Sequence, residues 1–170
     1  QSVWLESVAP QHITGLNWTS DLTDGTVTLE LRLSRPGIAS ASVRIAHEGR
    51  ELAAATMRTS GTRATLTIPL DGQRNGQNYE RLLWSPDRPT LLDAWIDVTD
   101  AGGRTDAVAS YLGLRSVAWD RGALLLNDRP VTLRSVLSQG YWPESHLAAP
   151  SPDALRREAE LIAELGFNSV

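Results

Sequence analysis

Apolar and polar residues alternate along most of the first two thirds of the chain. Between residues 26 and 33, every second position is apolar (Val27, Leu29, Leu31 and Leu33), and the positions between them are polar or charged. A period of two places these four side chains on one face of a half-buried β-strand. Similar short segments, one of them a candidate first strand, occupy residues 12–18, 41–46, 51–57, 63–70, 92–98 and 107–112.

Turn residues separate these segments at regular intervals. Ser60-Gly61 stands between two of them, and Asp100-Ala-Gly-Gly103 lies between the last two, where it predicts a hairpin. Residues 71–77 read as a polar loop, and residues 83–89 carry turn chemistry beside a tryptophan. About seven short strands in a row favour an antiparallel sandwich of immunoglobulin-like type over residues 11–116. The chain has no cysteine, so the cysteine pair of antibody domains is missing and only the architecture is supported.

The pattern changes in the last fifty residues. Residues 117–120 read as a linker strand, and residues 123–126 and 131–137 read as strands on either side of an Asn127-Asp128 hairpin turn. Ser151 is a good helix N-cap, and Pro152 fits the first helical position because its missing N–H costs nothing there. Gly166 supplies the helix stop. One face of this predicted helix is apolar and carries Leu155, Ala159, Ile162 and Leu165.

The resulting order of strand, helix and beginning strand is the repeating unit of a parallel α/β domain. The unit stops as its second strand begins, at residues 167–170. Residues 1–6 likewise read as a strand in mid-domain. We therefore expect the chain to be a piece of a larger protein.

Composition excludes several classes of function. About 41% apolar residues, with six tryptophans, can build a real core. A net charge of −4 argues against binding to nucleic acid or to acidic membranes, which require clustered positive charge. No apolar run is long enough to span a membrane, and no signal peptide is visible. The compartment is left open.

Few residues form a pattern that predicts chemistry. The three histidines, His12, His47 and His146, are not spaced as a metal pair, and the chain has neither a glycine-rich phosphate loop nor a nucleophile elbow. We therefore expect no metal and no cofactor. Glu158 and Glu160 are two residues apart on the predicted helix, point to different sides, and are expected to be solvated surface.

Glu144 differs because it ends the segment Gln139-Gly-Tyr-Trp-Pro-Glu, which follows the predicted strand 131–137. Sites in parallel α/β sheets are built at the carboxyl ends of strands. Tyr141 and Trp142 offer flat amphipathic rings suited to stacking on a sugar. They could equally plug a junction between two domains, and both interpretations stay open.

Together these segments resemble the family 2 glycoside hydrolases, which include β-galactosidases, β-glucuronidases and β-mannosidases. Four stretches in the same order carry the resemblance: Gln1-Ser-Val-Trp-Leu-Glu, Leu83-Trp-Ser-Pro-Asp-Arg-Pro-Thr-Leu, Leu126-Asn-Asp-Arg-Pro-Val-Thr-Leu-Arg-Ser-Val and Glu160-Leu-Ile-Ala-Glu-Leu-Gly-Phe-Asn-Ser-Val. Residues 137–140, Leu-Ser-Gln-Gly, depart from the Asn-Arg-His-Glu type sequence of the familiar β-galactosidases, which leaves the sugar open.

The resemblance implies a domain order. Residues 1–10 would end a preceding sugar-binding-like sandwich, residues 11–116 would form the immunoglobulin-like sandwich, and residues 117–170 would begin a truncated (β/α)₈ barrel. The fold is thus expected to be mainly β, with a hairpin and one strand–helix piece at its end.

The resemblance also implies a function. The parent protein would be a retaining exo-β-glycosidase with a carbohydrate substrate, and this chain would contain no catalytic residue and be inactive alone. Arg134, Gln139, Tyr141, Trp142 and Glu144 are the candidate substrate-binding residues of the parent. The truncated barrel segment could self-associate. The alternative is a non-catalytic β-sandwich module that binds carbohydrate or another protein.

Overall fold

The computed structural model describes residue 3, residues 5–70 and residues 79–170. Two antiparallel sheets dominate the first part of the chain. Their strands are β1 (Ile13–Asp21), β2 (Thr26–Leu33), β3 (Ala39–His47), β4 (Arg50–Thr59), β5 (Arg63–Pro69), β8 (Leu92–Asp100) and β9 (Thr105–Leu112). The first sheet has three strands in the order β1-β2-β5, and the second has four in the order β4-β3-β8-β9.

A single apolar core joins the two sheets. β2 buries every second residue, Val27, Leu29, Leu31 and Leu33, as its sequence alternation requires. The opposing sheet contributes alternate residues of β3 and β8, and all of these side chains pack in one cluster. Burial of one face from each sheet makes this part of the chain a β-sandwich.

The sequence pattern predicted these seven strands, and the mainly β, antiparallel character of the fold is confirmed. Most observed strands extend one to three residues beyond the predicted ones, because their polar ends continue the hydrogen-bonded ladder without adding to the alternation. Asp100 closes the β8–β9 hairpin by accepting hydrogen bonds from the backbone N–H groups of Gly102 and Arg104. The bond from the Arg104 N–H is the main reason that the pKa of Asp100 lies below its ordinary value.

Short elements cross the gap between β5 and β8. Helix α1 (Tyr79–Leu82) is a single turn that the sequence pattern did not predict. It leads into a small hairpin of β6 (Trp84–Ser85) and β7 (Arg88–Pro89), where the turn chemistry of residues 83–89 was predicted. The predicted loop at residues 71–77 lies outside the described residues.

A third sheet follows the sandwich. Its strands β10 (Val117–Asp120), β11 (Ala123–Leu126) and β12 (Arg129–Val131) form an antiparallel meander. The predicted turn at Asn127-Asp128 joins β11 and β12, and both residues have positive φ angles, 52° and 62°. Two-residue hairpin turns require this conformation, which asparagine and aspartate tolerate better than most residues.

The predicted strand at residues 131–137 is wrong in extent. β12 ends at Val131, and the only later strand-like contact here, within the described residues, is a parallel bridge between Ser135 and Ser169. Two backbone hydrogen bonds flank this bridge, from Val136 N–H to the Ser169 carbonyl and from Asn168 N–H to the Arg134 carbonyl. A regular strand needs a ladder of several such bonds on at least one side, and the described part of the chain supplies only this single pair.

Helix α2 (Pro152–Glu164) lies between the two bridge residues in sequence. Its predicted boundaries are confirmed by the structure: the Ser151 hydroxyl accepts from the Ala154 N–H, and Gly166 has a φ of 85°. The helix buries no residue, and Leu155 and Leu165 are exposed.

The described part of the N-terminal segment corrects a second expectation. Val3 and Leu5 are almost fully exposed, and neither lies in a strand. The described residues of this segment, Val3, Leu5 and Glu6, therefore do not form the strand that was expected. Among the described residues, no helix is long and apolar enough to cross a membrane.

Candidate functional site

Residues 141–146, which we call the aromatic turn, form a tight turn after the parallel bridge. Trp142 and His146 exchange two backbone hydrogen bonds, 3.0 and 2.8 Å long, so that Pro143, Glu144 and Ser145 project from the turn between them. His146 has a positive φ of 64°. The Ser145 hydroxyl donates to the Ala148 carbonyl and ties the turn to the segment before helix α2.

The loop presents its functional groups to solvent. The Tyr141 side chain and Glu144 are exposed, and Trp142 is half-buried. An exposed phenol, an indole beside it and a free carboxylate are suited to stacking on a sugar ring and to accepting hydrogen bonds from sugar hydroxyls.

Arg134 contacts the end of helix α2 rather than the loop. Its Nε donates to the Gly166 carbonyl at 2.6 Å, and its backbone N–H donates to the Asn168 side-chain oxygen at 2.7 Å. A cation is favourable at this position because the carboxyl end of a helix carries unsatisfied carbonyls and a partial negative charge. Arg134 therefore holds the helix against residues 132–136.

Asn168 contributes most of the hydrogen bonds in this region. Its side chain accepts from Arg134 N–H and donates to the Thr132 carbonyl at 3.0 Å, and its own N–H donates to the Arg134 carbonyl. The asparagine amide thus takes the place of a neighbouring strand beside residues 132–134.

A half-open groove of about 760 Å³ separates helix α2 from residues 135–140, which we call the bridge segment. Gln139 is the one candidate substrate-binding residue among its described lining. The apolar side is formed by the helix face and by the residues after the helix. The described lining residues are Ser138, Gln139, Gly140, Leu155, Glu158, Ala159, Ile162, Ala163, Phe167, Asn168, Ser169 and Val170.

The two helix carboxylates are engaged separately. Glu158 lies half-buried beside this groove and accepts a hydrogen bond from Ser138 at 2.9 Å, so the expectation of a solvated surface residue is corrected for it. A guanidinium nitrogen of Arg157 lies 3.4 Å from a carboxylate oxygen of Glu160 and 2.9 Å from one of Glu164. Hydrogen bonds to Glu164 and Glu160 raise the pKa of Arg157. Glu160 and Glu164 thus pair with Arg157 on the helix surface, whereas Glu158 lines the groove.

The structure brings together only some of the candidate residues. Tyr141, Trp142 and Glu144 share one turn, whereas Gln139 lines the groove and Arg134 is bound to the helix end. Within the described part of the chain, no hydrogen bond links Arg134 to residues 139–144, and no three His, Asp or Glu side chains lie close enough to hold a metal ion. Sequence reasoning missed Asn168 and Ser138, whose contacts come from residues 20 or more positions away and leave no local signal.

The family model described as glycosyl hydrolases family 2 matches residues 11–115. The chain belongs to this family, and the resemblance predicted from the sequence is confirmed.

The individual relatives share a third or less of their aligned residues with this chain. A β-galactosidase from Pectobacterium atrosepticum is 33% identical over 52% of this chain, and a Formosa agariphila protein with a provisional β-glucuronidase name is 25% identical over all of it. The matches cover 8% and 20% of those proteins. The Lactobacillus rhamnosus β-glucuronidase structure superposes on 93% of this chain and 25% of its own, with a TM-score of 0.69 and 18% identity, which shows a shared fold.

Proposed function

We propose that this chain is the middle portion of a retaining exo-β-glycosidase, and that it is itself non-catalytic. In this proposal residues 11–116 are the immunoglobulin-like sandwich, and residues 117–170 begin the (β/α)₈ barrel that would carry out hydrolysis. Residues 1–10 would end a preceding domain. The parent enzyme would act on an O-glycosidic bond of a carbohydrate.

The parallel bridge between Ser135 and Ser169 is the observation that carries this proposal. Two parallel segments joined by a helix are the building unit of a parallel barrel, and antiparallel hairpins cannot produce that connection. The unit follows the sandwich in a chain that belongs to glycosyl hydrolases family 2. The relatives named β-galactosidase and β-glucuronidase support a β-glycoside as the substrate class.

The aromatic turn is the proposed contribution of this chain to substrate binding. Tyr141 and Trp142 would stack on the sugar, and Glu144 would accept hydrogen bonds from its hydroxyls. The turn follows the first parallel segment at its carboxyl end, which is the active face of such barrels. Gln139 would act from the neighbouring groove, and Arg134, whose Nε is bound to the Gly166 carbonyl, would contact the substrate through its remaining guanidinium N–H groups.

The described carboxylates offer no pair suited to retaining hydrolysis, which supports inactivity of the chain alone. Retaining hydrolysis needs two carboxyl groups about 5 Å apart across the scissile bond. In the described residues Glu158 and Glu160 have separate partners, and Glu144 stands on an exposed turn. We expect the purified chain to release no nitrophenol from aryl β-galactosides or β-glucuronides.

The test compares the chain with the complete open reading frame. If the complete protein is active, Tyr141→Ala and Glu144→Gln should raise its KM by about tenfold, because each removes a sugar contact. Glu51→Gln, at an exposed position on β4, is the matched control and should leave KM unchanged. Turnover by the chain alone, abolished by replacement of a single glutamate, would overturn the proposal.

The alternative function is that of a non-catalytic sandwich module that binds carbohydrate or a protein. One observation favours it: every buried residue that the structure describes lies between Gln11 and Leu114, so residues 117–170 contribute nothing to the core of the sandwich. An open reading frame that ends near residue 170 would support this alternative over the enzyme.

A further inference from the structure

A second groove lies at one end of the sandwich, away from the aromatic turn. It encloses about 720 Å³, and its described lining comes from the end of β1, the end of β9, the residues after β9 and Trp84. The lining residues are Trp18, Thr19, Ser20, Trp84, Leu91, Tyr111, Leu112, Gly113, Arg115, Ser116 and Val117. Aromatic rings and hydroxyl groups therefore share one concave surface.

The aromatic rings in this groove are held in place. The Trp18 indole N–H donates to the Ser110 hydroxyl at 3.2 Å, and the Trp84 backbone N–H donates to the Leu114 carbonyl at 2.8 Å. A Cβ at Gly113 would lie 3.1 Å from the Trp84 side chain, so glycine lets this indole lie close to the backbone. A site with fixed rings loses little conformational entropy when it binds a ligand.

Two further rings, one of them in the groove lining, are open to solvent. Tyr111 lines the groove and is 67% exposed. Trp119 is 72% exposed and lies two residues after Val117 on β10, so the two side chains project from the same face of that strand. Flat, exposed rings next to hydroxyl groups offer an apolar face and polar partners at once, which is the combination that sugars require.

Arg115 gives the groove its charge. Its guanidinium lies 5.1 Å from the centre of the Trp84 ring, and it is the only charged side chain among the described lining residues. Stacking on an aromatic ring fixes a guanidinium while its N–H edge stays available for a carboxylate. The Arg115 backbone is also fixed, since Ser20 Oγ donates to its carbonyl at 2.7 Å. This local positive charge stands out in a chain of net charge −4.

We propose that this groove is a carbohydrate-binding site for an acidic oligosaccharide, made of different residues from the aromatic turn. One sugar would stack on Tyr111, and its carboxylate would pair with Arg115. The hydroxyls of Thr19 and Ser116 are placed to bond the sugar hydroxyls. The inference rests on the groove alone and stands whether or not the parent protein is a glycosidase.

The test is titration of the whole chain, labelled with ¹⁵N, with trigalacturonate and with the neutral trisaccharide maltotriose. Trigalacturonate should shift the indole N–H signals of Trp18 and Trp84 in a saturable way, and maltotriose should bind more weakly. Tyr111→Ala and Arg115→Gln should each raise the Kd for trigalacturonate about fivefold or more, because they remove the stacking ring and the charge partner. Added salt should weaken binding in the wild type and not in Arg115→Gln.

Two control variants separate this groove from other surfaces. Arg44→Gln removes another guanidinium that stacks on a tryptophan, since it lies 4.1 Å from the centre of the Trp95 ring. Arg44 does not line this groove. Ile38→Ala removes an exposed apolar side chain that lies outside the lining of this groove. Both should bind trigalacturonate as the wild type does. No saturable shift, equal affinity for maltotriose, or equal losses in the controls would overturn the proposal.

Discussion

Asn127 joins the third sheet to the sandwich. Its side-chain oxygen accepts from the Ser116 N–H at 3.1 Å, and its side-chain nitrogen donates to the Trp84 carbonyl at 3.0 Å. Its own N–H donates to the Ser116 carbonyl. The residue also holds the positive φ that its hairpin turn requires. A single side chain therefore serves both the local turn and the contact between two parts of the chain.

Substitutions at position 127 can separate these two roles. Asn127→Gly keeps the turn conformation and removes both side-chain bonds, which should cost about 1–3 kcal/mol of the free energy that holds the hairpin to the sandwich. Asn127→Ala should cost more, because alanine is also strained at positive φ. Hydrogen exchange of the Ser116 and Leu126 amides measures this opening. Equal protection in the wild type and both variants would contradict the assigned role.

The strands of the sandwich owe their stability to burial. Ile96 in β8 is fully buried in the common core, whereas Leu161 on helix α2 is exposed. Ile96→Ala should lower the free energy of unfolding by about 2–5 kcal/mol, because it removes apolar contacts and leaves a cavity. Leu161→Ala should change it by less than about 0.5 kcal/mol. Urea denaturation checks both, and similar losses in the two variants would contradict the placement of the core.

The sequence pattern predicted those elements whose limits are set by residues within or next to the element. The alternation in Thr26–Leu33 specifies a buried face directly, and Ser151, Pro152 and Gly166 set the limits of helix α2 through contacts within a few residues. The strand at residues 131–137 was predicted too long because its extent depends on a distant partner, and Ser169 alone supplies one. The hydrogen bonds of Asn168 and Ser138 to residues far along the chain escaped prediction for the same reason.

At the scale of the whole molecule, burial is unevenly distributed. The sandwich holds all the buried residues that the structure describes, while residues 117–170 contain a meander, a parallel bridge and a helix without one buried side chain. The exposed apolar residues include Leu133, Leu137, Leu155, Leu165 and Val170. Each fully exposed side chain of this kind forgoes roughly 1.5–3 kcal/mol of burial. A surface of this character favours contact with another molecule.

We therefore expect the isolated chain to self-associate through the groove between helix α2 and the bridge segment. Leu155 lines this groove, and Leu161 is similarly exposed on the same helix but lies outside the groove lining. Light scattering after gel filtration, over about a hundredfold range of concentration, should show masses above the 18.5 kDa of one chain. Leu155→Glu should return the mass to that of one chain because it places a charge in the apolar contact, and the matched Leu161→Glu should not. Circular dichroism verifies that both variants keep the helix. A wild-type chain that stays monomeric at the highest concentration would contradict the prediction that this exposed face mediates self-association.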